Sequence, residues 1–494
     1  MEENNKKKQA LNVDRDHVLK TRRDFLAQGL LASAAATLFP FDAMAQNSCD
    51  LASITAVDAP MIPVIVLDLA GGSNIAGANV IVGGRGGQMD QLSEAGNRTL
   101  GLLPSESPAM AGRVRDLAGS TTNPDGLLFH SQSRLVQGID NGASLAVRQK
   151  TDGVLMCAIS DDDTGNNPHN PMYWFHAAGA RGKLTQLIGT QGGTSGGNSQ
   201  VPASSVDLSI APLLINQPQD VLNLVGLGNR VSSANGIAPG RESLILRALD
   251  TLSGARVKAL SRRQMPDAVK DLVLCNLEKT QALLQNFTAT QLSVTGDATL
   301  NSAMGGVFNL ADGTQSRAAG VVKMVLDGLA ATGTITLGGY DYHTGDRVQG
   351  DARDFEAGQM IGRILEAANR KNTPVVVYVF TDGGVSAGST TDAQNGRLVW
   401  GGDSGQRSAS LMLAFHPTTK PAMRSASRQL GAYKTGGSVD AVASPISNSV
   451  TNLAKAVVLN YLALHGEENR LEEVVGDNPF QITMNQHLFF RKVA

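Results

Sequence analysis

The sequence predicts an α/β protein, a mainly parallel sheet with helices on both faces, preceded by an export leader and carrying a helical insertion. Three observations lead there. Short, almost wholly apolar runs such as 61–69 and 374–380 match strands buried on both faces of a parallel sheet. From residue 316 onward such runs alternate with stretches of helical periodicity. The chain has 494 residues and 42% hydrophobic content, more than one simple core needs, which fits one elaborated domain over 46–494.

The first 45 residues read as a leader. Thr21-Arg22-Arg23-Asp24-Phe25-Leu26 places an arginine pair before the uncharged stretch Phe25 to Phe41, and Ala43-Met44-Ala45 offers small residues for cleavage. This is the pattern of twin-arginine export, whose machinery carries proteins already folded. The apolar stretch is short of the roughly 20 residues a spanning helix needs, and Gln28, Ser33, Thr37 and Pro40 dilute it. No later segment reaches spanning length, so the sequence predicts no transmembrane helix after the leader and an exported product, in the periplasm in the first instance.

Charge and cysteine narrow the function classes. Seven of the 42 Lys and Arg and six of the 44 Asp and Glu fall in residues 1–45, leaving a net charge near −3. That balance argues against nucleic acid as a partner, since such proteins carry a basic surplus. Of the three cysteines, Cys157 lies in the apolar run 154–159 and is expected to be a buried free thiol.

Taken in order, 61–69 is a strand ending in Gly71-Gly72-Ser73-Asn74, with Asp68 near its C-terminal end. Gly83 to Gly87 lacks the spacing of a phosphate loop or dinucleotide fingerprint and reads as a turn. A helix over 132–139, a strand over 153–159 and a polar loop over 160–171 follow. Asp161-Asp162-Asp163 in that loop lacks the Gly and Glu of a calcium loop. The Gly, Ser and Asn stretch 189–205 is expected to be exposed and mobile, and 240–287 carries a leucine-rich helical period. Then come a helix (318–330), a strand (332–337), a helix (351–370), strands (374–380 and 410–415) and a last helix (449–465).

In such sheets functional groups collect in loops at the carboxyl ends of strands. Three loops at strand ends are acidic: 338–346 with Asp341 and His343 and 381–384 with Asp382, which each follow a strand, and 401–405 with Asp403, which precedes one. Along an extended loop Asp341 and His343 project the same way, because side-chain direction repeats every two residues. A carboxylate and an imidazole so placed suit a divalent ion such as zinc, manganese or iron.

The motifs in sequence order resemble those of a twin-arginine-exported branch of the alkaline phosphatase and sulfatase superfamily, the family called domain of unknown function fifteen hundred and one. The residues that carry the resemblance are Thr21 to Leu26, Leu69-Ala70-Gly71-Gly72-Ser73-Asn74, Asn167-Pro168-His169, Gly339-Tyr340-Asp341-Tyr342-His343, Val375 to Phe380 and Gly401-Gly402-Asp403. The resemblance implies an alkaline-phosphatase-like fold and metal ligands drawn from Asp341, His343, Asp382, Asp68 and Asp403. It further implies Ser73 as nucleophile and His169 and Asn74 as contacts to a small anionic ester. The chain departs from the family pattern at Asn74, where an acid is expected, at Asp382-Gly383-Gly384, and at Ser404, where a histidine is expected. Two functions follow as expectations: a metal-dependent hydrolase of phosphate or sulfate esters, or a non-catalytic binding or assembly component of the cell envelope with a thinned site.

Overall fold

The computed structural model describes residues 61–161, 165–224, 289–343 and 347–493. The expected leader at 1–45, the expected helical insertion at 240–287 and Asp162 and Asp163 lie outside the described residues.

An eight-stranded sheet forms the middle layer. Its strands in chain order are β1 (Val64–Leu69), β2 (Thr151–Cys157), β3 (Thr185–Gly189), β4 (Leu213–Leu214), β5 (Ala330–Leu337), β6 (Val375–Thr381), β9 (Ala409–Phe415) and β10 (Gln429–Leu430). Two further strands, β7 (Val385–Thr391) and β8 (Leu398–Asp403), pair with each other as a hairpin beside it. The spatial order is β10-β2-β9-β6-β1-β5-β3-β4. β9 runs antiparallel to both its neighbours, β6 and β2, and every other pairing is parallel.

Strand alternation assigns the two faces. Ile65, Leu67, Val377 and Val379 enter one core, with α1 (Arg134–Gly142), α3 (Gly313–Leu326) and α4 (Arg347–Arg370) over it. Val64, Val66, Val376 and Tyr378 enter the other, covered by α2 (Met172–Ala178) and α5 (Val450–His465). The result is the three-layer α/β arrangement expected from the alternation, with Trp174, Trp400 and the Cys157 thiol buried within it. Burial pushes that thiol up, so it stays protonated.

Capping sets several helix starts. Asp312 accepts from the backbone N–H of Thr314 and Gln315 at 2.9 Å each, and Ser133 and Ser449 do the same for α1 and α5. Asp312→Ala is therefore expected to lower stability by about 1 kcal/mol, read as a lower urea midpoint at unchanged slope; an unmoved midpoint would show that α3 starts without this cap.

Two expectations are corrected. The chain between the expected strands 374–380 and 410–415 forms a hairpin over 385–403, whose Gly and Ser content hides the alternation; Asp403 accordingly ends a strand rather than sitting in the expected loop 401–405. The stretch 189–205 is not a wholly exposed loop. Its tip is exposed, but Ser195 and Ser199 are buried, and a Cβ on Gly197 would meet Asp68 Oδ2 at 2.6 Å and the Thr336 hydroxyl at 3.0 Å.

Candidate metal centre

Asp341 and His343 follow β5, whose last residue pairs with the end of β1, and Asp403 is the last residue of β8. The chain brings them together because Ser404 N–H donates to Gly384 O, tying the end of β8 to the turn after β6, and Val385 pairs with Asp403 across the hairpin. Gly71, at φ +120°, leaves no room for a side chain: a Cβ there would lie 2.4 Å from the Asp341 amide nitrogen. The loop after β1 thus packs directly under the Asp341 backbone.

The three side chains form one group. His343 Nε2 lies 2.9 Å from Asp341 Oδ1, and Nδ1 lies 2.7 Å from Asp403 Oδ2. One donor atom from each lies within 4.8 Å of the others, and among the described residues no other group of three acidic, histidine or cysteine side chains is so arranged. The side chains are 44%, 31% and 19% exposed for Asp341, His343 and Asp403, so the group opens to solvent. A neutral imidazole carries a single N–H and can donate to only one carboxylate. Two carboxylates on its two nitrogens therefore balance only when the site holds an added positive charge, a proton or a cation. Two carboxylate oxygens and an imidazole nitrogen are a donor set that suits zinc or manganese.

Tyr342, between the two ligand candidates, points the opposite way and anchors them. Its hydroxyl accepts from Asn74 N–H at 2.6 Å and donates to Asp354 Oδ1 at 2.7 Å. Asp354 Oδ2 accepts from Asn79 Nδ2 at 2.7 Å, and Asn79 also donates to Asn74 O. One buried carboxyl on α4 so fixes the loops that carry Asn74 and Asp341. No sequence signal marked Asp354, which lies twelve residues beyond Tyr342.

Asp68 and Asp382 are placed elsewhere, in a buried network of amides and hydroxyls. Asp68 Oδ2 accepts from the backbone N–H of Asn198 at 2.6 Å and Ser199 at 3.0 Å, while Oδ1 is enclosed without a partner. Asp382 accepts from Ser199 Oγ at 2.6 Å, Asn198 Nδ2 at 3.0 Å and Asn167 Nδ2 at 3.2 Å. Burial pushes the Asp68 carboxyl up to about 7, against the opposing pull of its backbone hydrogen bonds, and the nearby Asp382 charge adds to the rise. Asp382 is raised too, again chiefly by burial. Asn198 and Ser199 were not expected here; only the inward turn of the loop after β3 delivers them.

The remaining expected residues are all enclosed. Ser73 is 1% exposed, its N–H donates to Thr381 Oγ1 at 2.8 Å, and its own Oγ has no partner. Asn74 is 2% exposed with its side-chain oxygen unpartnered. His169 is fully buried, stacked on Phe380 with centroids 5.0 Å apart and paired through Nε2 with Ser160 Oγ at 3.0 Å. Burial holds its ring neutral, down to about 3.

A scan against protein-family models returns no match for this chain, and neither does a search of curated proteins.

Proposed function

We propose that the protein is an exported, alkaline-phosphatase-like metal-dependent hydrolase of phosphate or sulfate esters whose working site is a single-cation centre held by Asp341, His343 and Asp403. One observation carries this reading: an imidazole held between two carboxylates, solvent-facing, where β5 and β8 end. A divalent ion bound there would polarise an ester oxygen and make nearby water more acidic. The chain's own groups would do the rest. Asp341 and Asp403 orient the imidazole from both sides, and Tyr342 pins the loop so that a ligand arrives at a fixed geometry. His343, once released from one carboxylate, would offer that nitrogen to the ion while its other nitrogen stays on the second carboxylate.

The Asp68 and Asp382 pair does not enter this centre in our reading, because most of its oxygens already accept hydrogen bonds from Asn167, Asn198 and Ser199. The leader supports export by the twin-arginine route to the periplasm. The burial of Ser73 favours a second reading, an exported envelope component that binds a metal or a partner without turnover, since a nucleophile 1% exposed meets no substrate without a change of structure.

The test is metal content of the protein purified from its exported compartment without chelators. About one equivalent of a divalent transition metal is expected, lost in both His343→Ala and Asp403→Ala and retained in Asp68→Asn. An ion retained in His343→Ala, or none in folded wild type, would overturn the centre. Turnover of aryl phosphate or aryl sulfate by wild type and not by His343→Ala separates the hydrolase from the envelope component.

A further inference from the structure

The dipeptide Asn-Gly occurs at Asn141, Asn235 and Asn395, and the second lies outside the described residues. An asparagine side chain is open to attack by the next backbone nitrogen, and glycine at that position puts no side chain in the way of the ring that forms. The fold treats the two described copies in opposite ways.

Asn395 and Gly396 are both exposed, at the tip of the β7–β8 hairpin. Asp392 closes the tip: its N–H donates to Arg397 O and its own O accepts from Gly396 N–H, each at 2.8 Å, and Gly396 takes the left-handed backbone at φ +68°. Asn395 Oδ1 accepts from Arg397 N–H at 3.0 Å, which folds the side chain back over its own peptide bond. That N–H donates to the oxygen on which charge collects when Cγ is attacked. Nδ2, the leaving nitrogen, faces Asp351 Oδ2 across 3.4 Å, a long contact that holds it weakly. Attack needs the Gly396 to Asp392 bond to open, and at an exposed tip water replaces it.

Asn141 is held instead. It lies in α1, its Oδ1 accepts from Gln359 Nε2 of α4 at 2.6 Å, and a Cβ on Gly142 would meet Gln359 O at 2.6 Å. Ring closure there requires the last turn of α1 to unwind and leave α4.

We propose that Asn395 is a site of spontaneous deamidation, which sets a new carboxylate beside Asp351. Gly396 N gives its proton to solvent and bonds to Asn395 Cγ; the Cγ–Nδ2 bond breaks, and ammonia leaves with a proton returned from solvent. Water then opens the five-membered imide at either carbonyl, giving aspartate or, with the main chain routed through the side-chain carbon, isoaspartate. Nothing is oxidised or reduced, and the net reaction consumes water and releases ammonia. The site stands apart from the Asp341, His343 and Asp403 group and does not depend on a metal.

Timed incubation of the whole protein in mildly alkaline buffer tests this, followed by peptide mapping with fragmentation that separates isoaspartate from aspartate. Acid at position 395 is expected to accumulate about tenfold or more faster than at 141, with isoaspartate present among the products. In urea-unfolded protein the two rates are expected to converge, because the fold sets the difference. Equal rates at the two positions in folded protein, a gap that persists in urea, or acid at 395 without isoaspartate, which means direct hydrolysis of the amide, would each overturn the proposal.

Discussion

Gly358→Ala is expected to destabilise the protein by about 3 kcal/mol or more, although alanine is the better helix former by about 1 kcal/mol. The reason is that α1 and α4 meet backbone to backbone. A Cβ on Gly358 would lie 1.9 Å from Leu135 O, and one on Gly138 would lie 2.2 Å from Phe355 O. One turn further on, Gly142 and Gly362 repeat the contact, with Gln359 O and Gly142 Cα as the obstructing atoms at 2.6 and 2.7 Å. Gly138 and Gly142 on one helix face Gly358 and Gly362 on the other, each pair four residues apart, so one stripe of each helix is bare.

Side-chain rotation cannot relieve these contacts because the obstructing atoms are backbone, so the helices must separate. Separation would also pull on the candidate centre. Ser133, the cap of α1, and Asp354 of α4 both bond Asn79, which holds the loop bearing Asn74. Gly313→Ala is the control, since nothing lies within 4 Å of its Cβ, and a gain of a few tenths of a kcal/mol is expected there. Urea unfolding measures both. A Gly358→Ala protein as stable as wild type would mean that the helices do not pack this closely.

Why the strands were legible and this contact was not has a physical answer. Strands β1, β5, β6 and β9 are buried on both faces and mostly apolar, so their runs survive in the sequence within three residues of the observed ends. Helices α4 and α5 carry long apolar stripes and were placed within four residues. The glycines of α1 and α4 read individually as weak helix positions, and their meaning depends on a partner more than 200 residues away. Within the candidate centre, Asp341 and His343 were legible together because alternation along an extended loop is local. Asp403 reaches them only through the hairpin, which hides behind Ser and Gly. Asp68 and Asp382 were equally visible as acids at strand ends; what surrounds them, a loop from β3 folded inward, is a tertiary fact.

The second large effect is a gain. Asp68→Asn is expected to stabilise the protein at pH 8 and to leave it nearly unchanged at pH 4. The Asp68 carboxyl titrates near 7 in the folded chain and near 3.8 when free, so the folded state holds a proton that the unfolded state has released between those values. Stability from this group is complete below about pH 4 and is lost as pH rises through 7, on the order of 4 kcal/mol for a shift of about three units. Asparagine keeps the acceptor that Asn198 and Ser199 N–H need. Its NH₂ can face the unpartnered Thr336 hydroxyl, directly across on β5.

Asp354 gives the contrast. Burial also pushes it to about 7, but both of its oxygens accept hydrogen bonds, from Tyr342 and Asn79. An NH₂ there leaves one buried donor unpaired, so at pH 4 Asp354→Asn is expected to lower stability by about 1–3 kcal/mol, a deficit that shrinks or reverses as pH rises through 7, where the wild-type carboxyl loses its proton. Thermal midpoints of the three proteins from pH 4 to 8 decide the matter. The gap between Asp68→Asn and wild type must widen with pH. If Asp68→Asn is instead the less stable protein at pH 8, the pair is held as charged carboxylates, as a cation between Asp68 and Asp382 would hold it, and the single-cation reading gives way to a larger metal site.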